Sequence, residues 1–224
     1  MDKNPKQYVA QRLGEDITID ADWDKNIWAN IPTGKLGFFM GDKPEHFPDT
    51  QFKIAYDDEC IYVIFKVDDQ YIRAVGKGYQ APVCLDSCVE FFFTPCEDIS
   101  TGYFNLETNC GGTILMYHQI ERGEYSKPLT DQELDNIEIA TSLPNLIVDE
   151  IAEPTSWTLE YKLPISILGK YTNIAKPTPG VKWEANFYKC GDKTSRPHWL
   201  TWSFVDKPNP DFHRPDFFGT LVFG

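Results

Sequence analysis

Alternate positions of one short segment carry the side chain types that bind a hydroxylated ligand. Between residues 103 and 109 these positions hold Tyr103, Asn105, Glu107 and Asn109. Successive side chains of a β-strand point to opposite faces, so the four share one face if the segment is extended. An aromatic ring, two amides and a carboxylate can stack on a sugar ring and hydrogen-bond its hydroxyl groups. A solvated strand face of ordinary composition is the alternative.

Two further segments place polar side chains in the same alternating way. Glu90 points away from the apolar odd positions of 89–93, and Asn186 and Tyr188 share the polar side of 181–190. If the three strands are neighbours in one sheet, their polar positions merge into one polar and aromatic surface. We predict a ligand site there, and the alternative is a patch whose side chains hydrogen-bond each other across strands.

Loop residues complete the set of candidate ligand contacts, because loops on a rigid scaffold often hold binding residues. Trp199 and Trp202 are three residues apart and would lie on different faces of an extended strand, so we expect one of them to be a core residue. Tyr79, between Gly78 and Pro82, is the preferred second aromatic residue. Arg73 either reaches the same site or pairs with an acid.

Catalysis and haem binding are alternatives to simple binding. Glu90 and Glu107 on adjacent strands could approach to about 5 Å, the separation found in retaining glycosidases. Such an enzyme also needs an enclosed site that separates the two pKa values, and the four histidines form no known catalytic motif. Met116 and His118 would lie side by side on one strand face, whereas axial haem ligands approach from opposite sides. Non-catalytic binding is therefore favoured.

Metal binding receives little support from local spacing. The acidic turns Asp57-Asp58 and Asp68-Asp69 could contribute to a calcium site, but neither follows the EF-hand pattern, and a solvated turn is favoured. The six cysteines contain no C-x-x-C pair, which predicts reduced, mostly buried thiols rather than a zinc site. We expect no required cofactor, with calcium possible.

The elements that must position these side chains are predominantly strands. Residues 52–56 and 61–67 alternate as a hairpin with an acidic turn, and only 131–136 and 165–169 have the pattern of a helical turn. Prolines and glycines lie mainly between the strands. The pattern predicts an all-β fold: a single-domain antiparallel β-sandwich of two sheets, immunoglobulin-like or jelly-roll-like, over residues 1–224, with 1–16 as a peripheral segment.

Charge and hydropathy exclude several classes of partner. The net charge of −13 argues against nucleic acid and against an anionic membrane surface. No run reaches the roughly eighteen apolar residues that predict a membrane span. The start of the chain lacks the apolar stretch of a signal peptide, so a cytoplasmic protein is the default expectation and a secreted or periplasmic one applies if a signal has been removed.

The order of several segments resembles carbohydrate-binding module family 9, within the DOMON-like sandwich superfamily. The segments are Ala21-Asp22-Trp23-Asp24, Ile27-Trp28, the hairpin at 55–63, Asp86 to Phe92, Tyr103 to Glu107, Trp183 to Lys189 and Phe217 to Leu221. The resemblance implies a sandwich that binds sugar, often at chain ends, between two tryptophans with Asn, Gln, Glu and Arg as hydrogen-bonding partners, and in some members structural calcium. Where the first tryptophan is expected, this chain has Tyr71 and Tyr79.

The combined prediction is non-catalytic binding of a mono- or oligosaccharide in carbohydrate catabolism, with a separate glycoside hydrolase as a possible partner. The candidate ligand-binding residues are Arg73, Tyr79, Glu90, Asn105, Glu107, Asn109, Asn186, Tyr188, Trp199 and Trp202.

Overall fold

A computed structural model describes residues 5–123 and 125–224. The strands are β1 (Gln7–Arg12), β2 (Gly34–Lys35), β3 (Phe38–Phe39), β4 (Asp49–Tyr56), β5 (Cys60–Asp69), β6 (Ile72–Ala74), β7 (Cys88–Thr94), β8 (Tyr103–Asn109), β9 (Ile114–Gln119), β10 (Ser126–Pro128), β11 (Glu138–Thr141), β12 (Ile147–Ile151), β13 (Thr155–Pro164), β14 (Lys182–Cys190), β15 (Trp199–Thr201) and β16 (Gly219–Phe223). The helices are α1 (Asn26–Ala29), α2 (Asp131–Leu134) and α3 (Ile165–Leu168). Across the described ranges, no helix has the length and apolar character needed to cross a membrane.

Most strands form one strongly curled sheet in the order β10-β9-β8-β7-β14-β16-β1-β4-β5-β13-β11. We call β7–β10, β14 and β16 the front half, and β4, β5, β11 and β13 the back half. The halves face each other across the core, where the Phe52 and Phe187 rings stack with their centroids 3.6 Å apart. The predicted all-β sandwich, the hairpin and the two helical turns are confirmed.

Strand β1 joins the two halves of the sheet. The expectation that residues 1–16 form a peripheral segment is therefore wrong for residues 7–12. Its first part pairs in parallel with β16, and Gln11 and Arg12 pair in parallel with β4. These parallel pairings are an exception to the otherwise antiparallel ladder of the main sheet. Tyr8 and Ala10 are buried, because β1 occupies a central position in the sheet. Residues 1–4 lie outside the described residues.

The outer face of the front half is covered by the chain that follows β15. We call residues 203–218 the roof segment. Phe212 of this segment stacks on Tyr188 with centroids 4.2 Å apart, and its carbonyl accepts a hydrogen bond of 3.1 Å from the Tyr188 hydroxyl. Phe92, Tyr103 and Phe218 complete a second, smaller apolar cluster. The polar face predicted from the sequence therefore lies beneath a loop.

The outer face of the back half is covered by residues 13–31 in a similar way. The buried Glu160 carboxylate accepts hydrogen bonds from the Ala21 amide at 2.8 Å and the Trp28 indole at 2.8 Å. Lys25 forms an ion pair with the same carboxylate at 2.9 Å. One charged group thus anchors a loop that has little regular structure of its own.

Candidate functional site

A cavity of about 120 Å³ lies between the front half and the roof segment. Its walls carry four carboxylates, one arginine and a tryptophan, contributed by Glu90, Glu107, Asp192, Asp211, Arg122 and Trp199. Ligand pockets commonly measure roughly 300–1,000 Å³, so in this conformation the cavity admits a few water molecules or one edge of a sugar ring.

Strand pairing brings together, in the floor of the cavity, the three strands whose polar positions the sequence singled out. Strand β7 lies between β8 and β14, with Glu90 directly opposite Glu107 on one side and opposite Tyr188 on the other. Side chains directly opposite each other on an antiparallel pair are near neighbours. The expectation that the three polar faces merge is therefore confirmed.

A chain of amide hydrogen bonds holds Glu107 in place. Asn105 Nδ2 donates to Glu107 Oε1 at 2.9 Å, and Gln119 Nε2 donates to Asn105 Oδ1 at 2.8 Å. Ser126 Oγ in turn donates to Gln119 Oε1 at 3.1 Å. Asn105 thus orients a cavity residue rather than lining the cavity itself. Gln119 was missed by the sequence reasoning, although its position on β9 alternates with the same face.

Burial raises the pKa of both floor carboxylates. The pKa of Glu90 is raised well above its usual range, first by burial and then by the neighbouring Glu107 carboxylate. Burial raises the pKa of Glu107 to about 7, against the lowering effect of the Asn105 amide. Two like charges this close cannot both ionise readily, so a proton is retained near neutral pH. The pair can then both donate and accept hydrogen bonds.

Trp199 and Trp202 occupy different environments, as their spacing predicted. Trp199 is partly buried at the cavity, and its indole donates to Asp192 Oδ1 at 2.8 Å. Trp202 lies in the main core, with its ring edge-on to Phe52 and Phe187 at 5.8 and 5.7 Å. Trp199 is therefore the ring available to a ligand.

Two amide residues predicted to bind the ligand, Asn109 and Asn186, form hydrogen bonds that fix loops instead. Asn186 Oδ1 accepts from the Ser203 amide at 2.8 Å, and Nδ2 donates to the Ser203 carbonyl at 3.1 Å, which fixes the start of the roof segment. Asn109 Oδ1 accepts from the Thr113 amide at 2.9 Å, and Nδ2 donates to Asp86 at 2.9 Å. Tyr188 is likewise covered by the Phe212 ring. None of the three lines the cavity.

Two residues predicted to lie in loops near the site, Arg73 and Tyr79, lie in β6 and in the segment that follows it. Arg73 Nε donates to Asp86 Oδ1 at 3.2 Å, so the alternative of pairing with an acid is the one observed. Tyr79 is exposed, and its hydroxyl donates to Asp135 Oδ1 at 2.6 Å. The structure does not bring either residue to the cavity.

The acids considered for calcium do not converge. Asp57 accepts from the Tyr62 hydroxyl at 2.7 Å, and Asp58 pairs with Arg12 at 2.7 Å. Asp68 and Asp69 lie at the opposite end of β5, about thirty ångströms away along an extended strand. The two acidic turns therefore cannot share one ion.

The two residues considered as haem ligands, Met116 and His118, lie in a packed interior. Met116 belongs to the main apolar core, and it is fully buried. His118 is also buried, with its ring 4.9 Å from that of Phe104. Both side chains are packed among neighbours, and the described part of the chain leaves no slot for a haem beside them.

A larger groove of about 930 Å³ lies away from this cavity. It is lined by apolar rings and lysines, among them Phe38, Phe39, Phe47, Lys35 and Lys207. Among the described residues, two carboxylates line this groove, Asp49 and Asp206, whereas four line the smaller cavity together with an arginine and a tryptophan. The smaller cavity is therefore the better candidate for recognising hydroxyl groups.

Comparison with known protein families places the chain. The model described as carbohydrate-binding family 9 matches residues 27–223, which is most of the sequence. The chain belongs to carbohydrate-binding family 9. The match includes the three strands of the cavity floor and the roof segment.

Solved structures support the fold assignment for this family 9 protein. A candidate carbohydrate-binding protein from Bacteroides uniformis superposes with a TM-score of 0.88 at 29% identity, covering 99% of this chain and 100% of the other. Two structures of a family 9 module from Caldicellulosiruptor kristjanssonii, described in complex with glucose and with cellotriose, superpose with TM-scores of 0.62 and 0.64 at 14% identity. They cover 98% and 97% of this chain, and 96% and 93% of their own. No curated protein sequence matches the chain.

Proposed function

We propose that this protein binds a saccharide, without transforming it, at the cavity beneath the roof segment. Family membership supports carbohydrate binding, and structural relatives are described with glucose and with cellotriose bound. The observation that carries the proposal for this site is the convergence of Glu90, Glu107, Asp192 and Trp199 on one cavity.

Different cavity residues contact different parts of a sugar. Glu107 and Asp192 accept hydrogen bonds from sugar hydroxyl groups, and the Arg122 guanidinium donates to a ring or hydroxyl oxygen. The Trp199 ring packs on the apolar C–H face of a pyranose. None of these roles transfers a proton to a glycosidic oxygen, so the glycosidic bonds of the ligand stay intact.

Access to the cavity requires movement of the roof segment. Residues 208–210 at its centre are exposed, so their displacement uncovers little apolar surface. The strand side of the cavity is closed by β7, β8 and β14. A cavity closed on one side favours the terminal unit of an oligosaccharide over a unit within a chain. Hydrolysis of the bound polysaccharide would then be the task of a separate glycoside hydrolase in carbohydrate catabolism.

Replacement of Trp199 tests the site directly. We expect Trp199→Ala to weaken binding of glucose or cellotriose at least tenfold in isothermal titration calorimetry, because it removes the stacking surface. Tyr79→Ala is the matched control, since it removes an exposed aromatic ring that does not line the cavity. Equal affinities in wild type and Trp199→Ala would place the ligand elsewhere.

Glycoside hydrolysis by Glu90 and Glu107 is the second candidate, because the two residues are direct cross-strand neighbours. Burial raises the pKa of both, however, whereas an acid and a nucleophile need opposite environments. Incubation of cellotriose with wild type and Glu107→Gln, followed by product chromatography, separates the candidates. Product formed only by wild type would favour the hydrolase.

A further inference from the structure

A group of thiol and carboxylate side chains lies at the edge of the cavity. In the antiparallel pairing of β7 and β14, Cys88 is directly opposite Cys190. Glu90 follows two positions along β7 and therefore points to the same face. The ligand atoms of these three side chains all lie within 4.8 Å of one another, and all three residues are buried.

We propose that Cys88, Cys190 and Glu90 form a zinc-binding site. In a tetrahedral site with Zn–S near 2.3 Å and Zn–O near 2.0 Å, neighbouring ligand atoms are separated by about 3.5 to 3.8 Å. Cys190 Sγ lies 3.1 Å from Glu90 Oε1, and the largest separation within the group is 4.8 Å or less. Small side chain rotations bring the three atoms around one ion, and the paired strands hold their backbones in place.

The Glu90 carboxylate has weak hydrogen-bond donors as its neighbours. Among the described residues, its hydrogen-bonding partners are thiols, of which Cys190 is the closest at 3.1 Å. Thiols are weak donors, whereas a buried carboxylate ordinarily has a cation or several N–H donors as partners. A divalent cation would satisfy the carboxylate and both sulfur atoms together.

The chemistry of the ligand set selects the metal. Two sulfur ligands and one carboxylate suit zinc, whereas calcium requires an all-oxygen shell of six to eight ligands. Binding replaces the protons of the two thiols, and any proton on the Glu90 carboxyl group, with the ion, so these protons are released to the solvent. Glu90 and Cys190 both line the cavity, which leaves the fourth position of the ion open to a water molecule.

Local spacing could not reveal this group, because the two cysteines are far apart in the sequence. The absence of a C-x-x-C pair excludes only a site built from cysteines that are neighbours in the sequence. Pairing of β7 with β14 brings Cys88 and Cys190 together across the sheet.

Titration of the reduced protein with Co²⁺, a spectroscopic substitute for Zn²⁺, tests the proposal without any sugar. We expect one equivalent to bind with a thiolate-to-cobalt charge-transfer band in the near ultraviolet, and Zn²⁺ to displace it. We expect Cys190→Ser to weaken metal binding by about tenfold or more, as the loss of a ligand should. Cys60→Ser, a buried cysteine of the back half, is the control and should bind like wild type.

The wild-type spectrum alone can overturn the proposal, whether or not the variants fold. Absence of the charge-transfer band at a tenfold excess of Co²⁺ would show that the thiols are apolar packing groups. An unchanged band in folded Cys190→Ser would show that cobalt binds elsewhere.

Discussion

Glu107 shows how the environment of a single residue decides its role. Its folded pKa is raised to about 7 by burial, above the ordinary value of 4.5. The folded state therefore binds this proton more tightly than the unfolded state, and the protonated form is stabilising at low pH. This contribution is lost as the pH rises from about 4.5 through 7.

We expect Glu107→Gln to separate stability from binding. The variant keeps the shape but lacks the ionisable proton, so at pH 8 its free energy of unfolding should equal or exceed that of wild type. Saccharide affinity should fall at least tenfold, because a neutral amide with one acceptor oxygen replaces a carboxylate with two. Urea titrations and calorimetry measure the two effects, with the exposed Glu97→Gln as control. Loss of stability at pH 8 would contradict the assigned pKa.

Individual site residues could be predicted from strand alternation only in part. Alternation correctly placed Glu90, Asn105 and Glu107 on one face, because that period follows from backbone geometry alone. It could not show that Asn186 would bind the Ser203 backbone, since that contact depends on where a distant loop folds. The same limit applied to Tyr79, whose position depends on Asp135 of another segment.

A buried ion pair connects an element of the front half with one of the back half. Lys189 of β14 lies 3.3 Å from Asp69 of β5, and both side chains are fully buried. His46 contacts the same carboxylate at 2.8 Å, and His198 Nε2 lies 2.8 Å from Lys189 Nζ. The pair holds the two halves in one relative position.

Removing one partner of this pair leaves an uncompensated buried charge. We expect Lys189→Met to lower the free energy of unfolding by about 3–5 kcal/mol, measured by urea denaturation. The double variant with Asp69→Asn should recover part of that loss, because the remaining charge is also removed. Strictly additive effects of the two substitutions would show that the side chains are not coupled.

His198 makes this connection sensitive to acid. Burial and the adjacent Lys189 lower its folded pKa from the ordinary 6.5 to about 3, while Asp69 acts in the opposite direction and His46 in the same direction. The unfolded state binds the proton more tightly, so this contribution to stability is complete above pH 6.5 and is lost as the pH falls toward 3.

We expect wild type to lose stability between pH 6.5 and 4 more steeply than His198→Gln. The substitution removes the titrating group and keeps a side chain that can accept from Lys189. Urea midpoints measured at several pH values give the two slopes. Identical slopes would mean that other groups account for the acid sensitivity.

At the scale of the whole molecule, the sequence predicted the sandwich but did not predict the two segments that cover its outer faces, residues 13–31 and the roof segment. Alternating apolar residues required two facing sheets, since each strand has one face to bury. The role of β1 as a joining strand depends on parallel partners at both ends of the chain, and no local pattern reveals such pairings. The roof segment has no periodicity, so only the fold shows that it encloses the polar face.

The molecule consists of a packed sandwich and a covered site on its front half. Within the described ranges, three apolar clusters stabilise the sandwich: one between the halves and one on each outer face. The site is the place where the roof segment meets the floor without filling the space. Ligand binding should therefore alter the roof segment and the cavity rim while the central core keeps its structure.

Nuclear magnetic resonance of the tryptophan indole groups during a cellotriose titration tests the central claim most directly. Of the six tryptophans, Trp199 alone lines the cavity, whereas Trp28, Trp157, Trp183 and Trp202 are buried in the apolar clusters. We predict a saturable shift of the Trp199 indole signal, with the signals of those four buried tryptophans unchanged. A Trp199 signal that stays constant at saturating cellotriose would contradict the assignment of the cavity as the saccharide site.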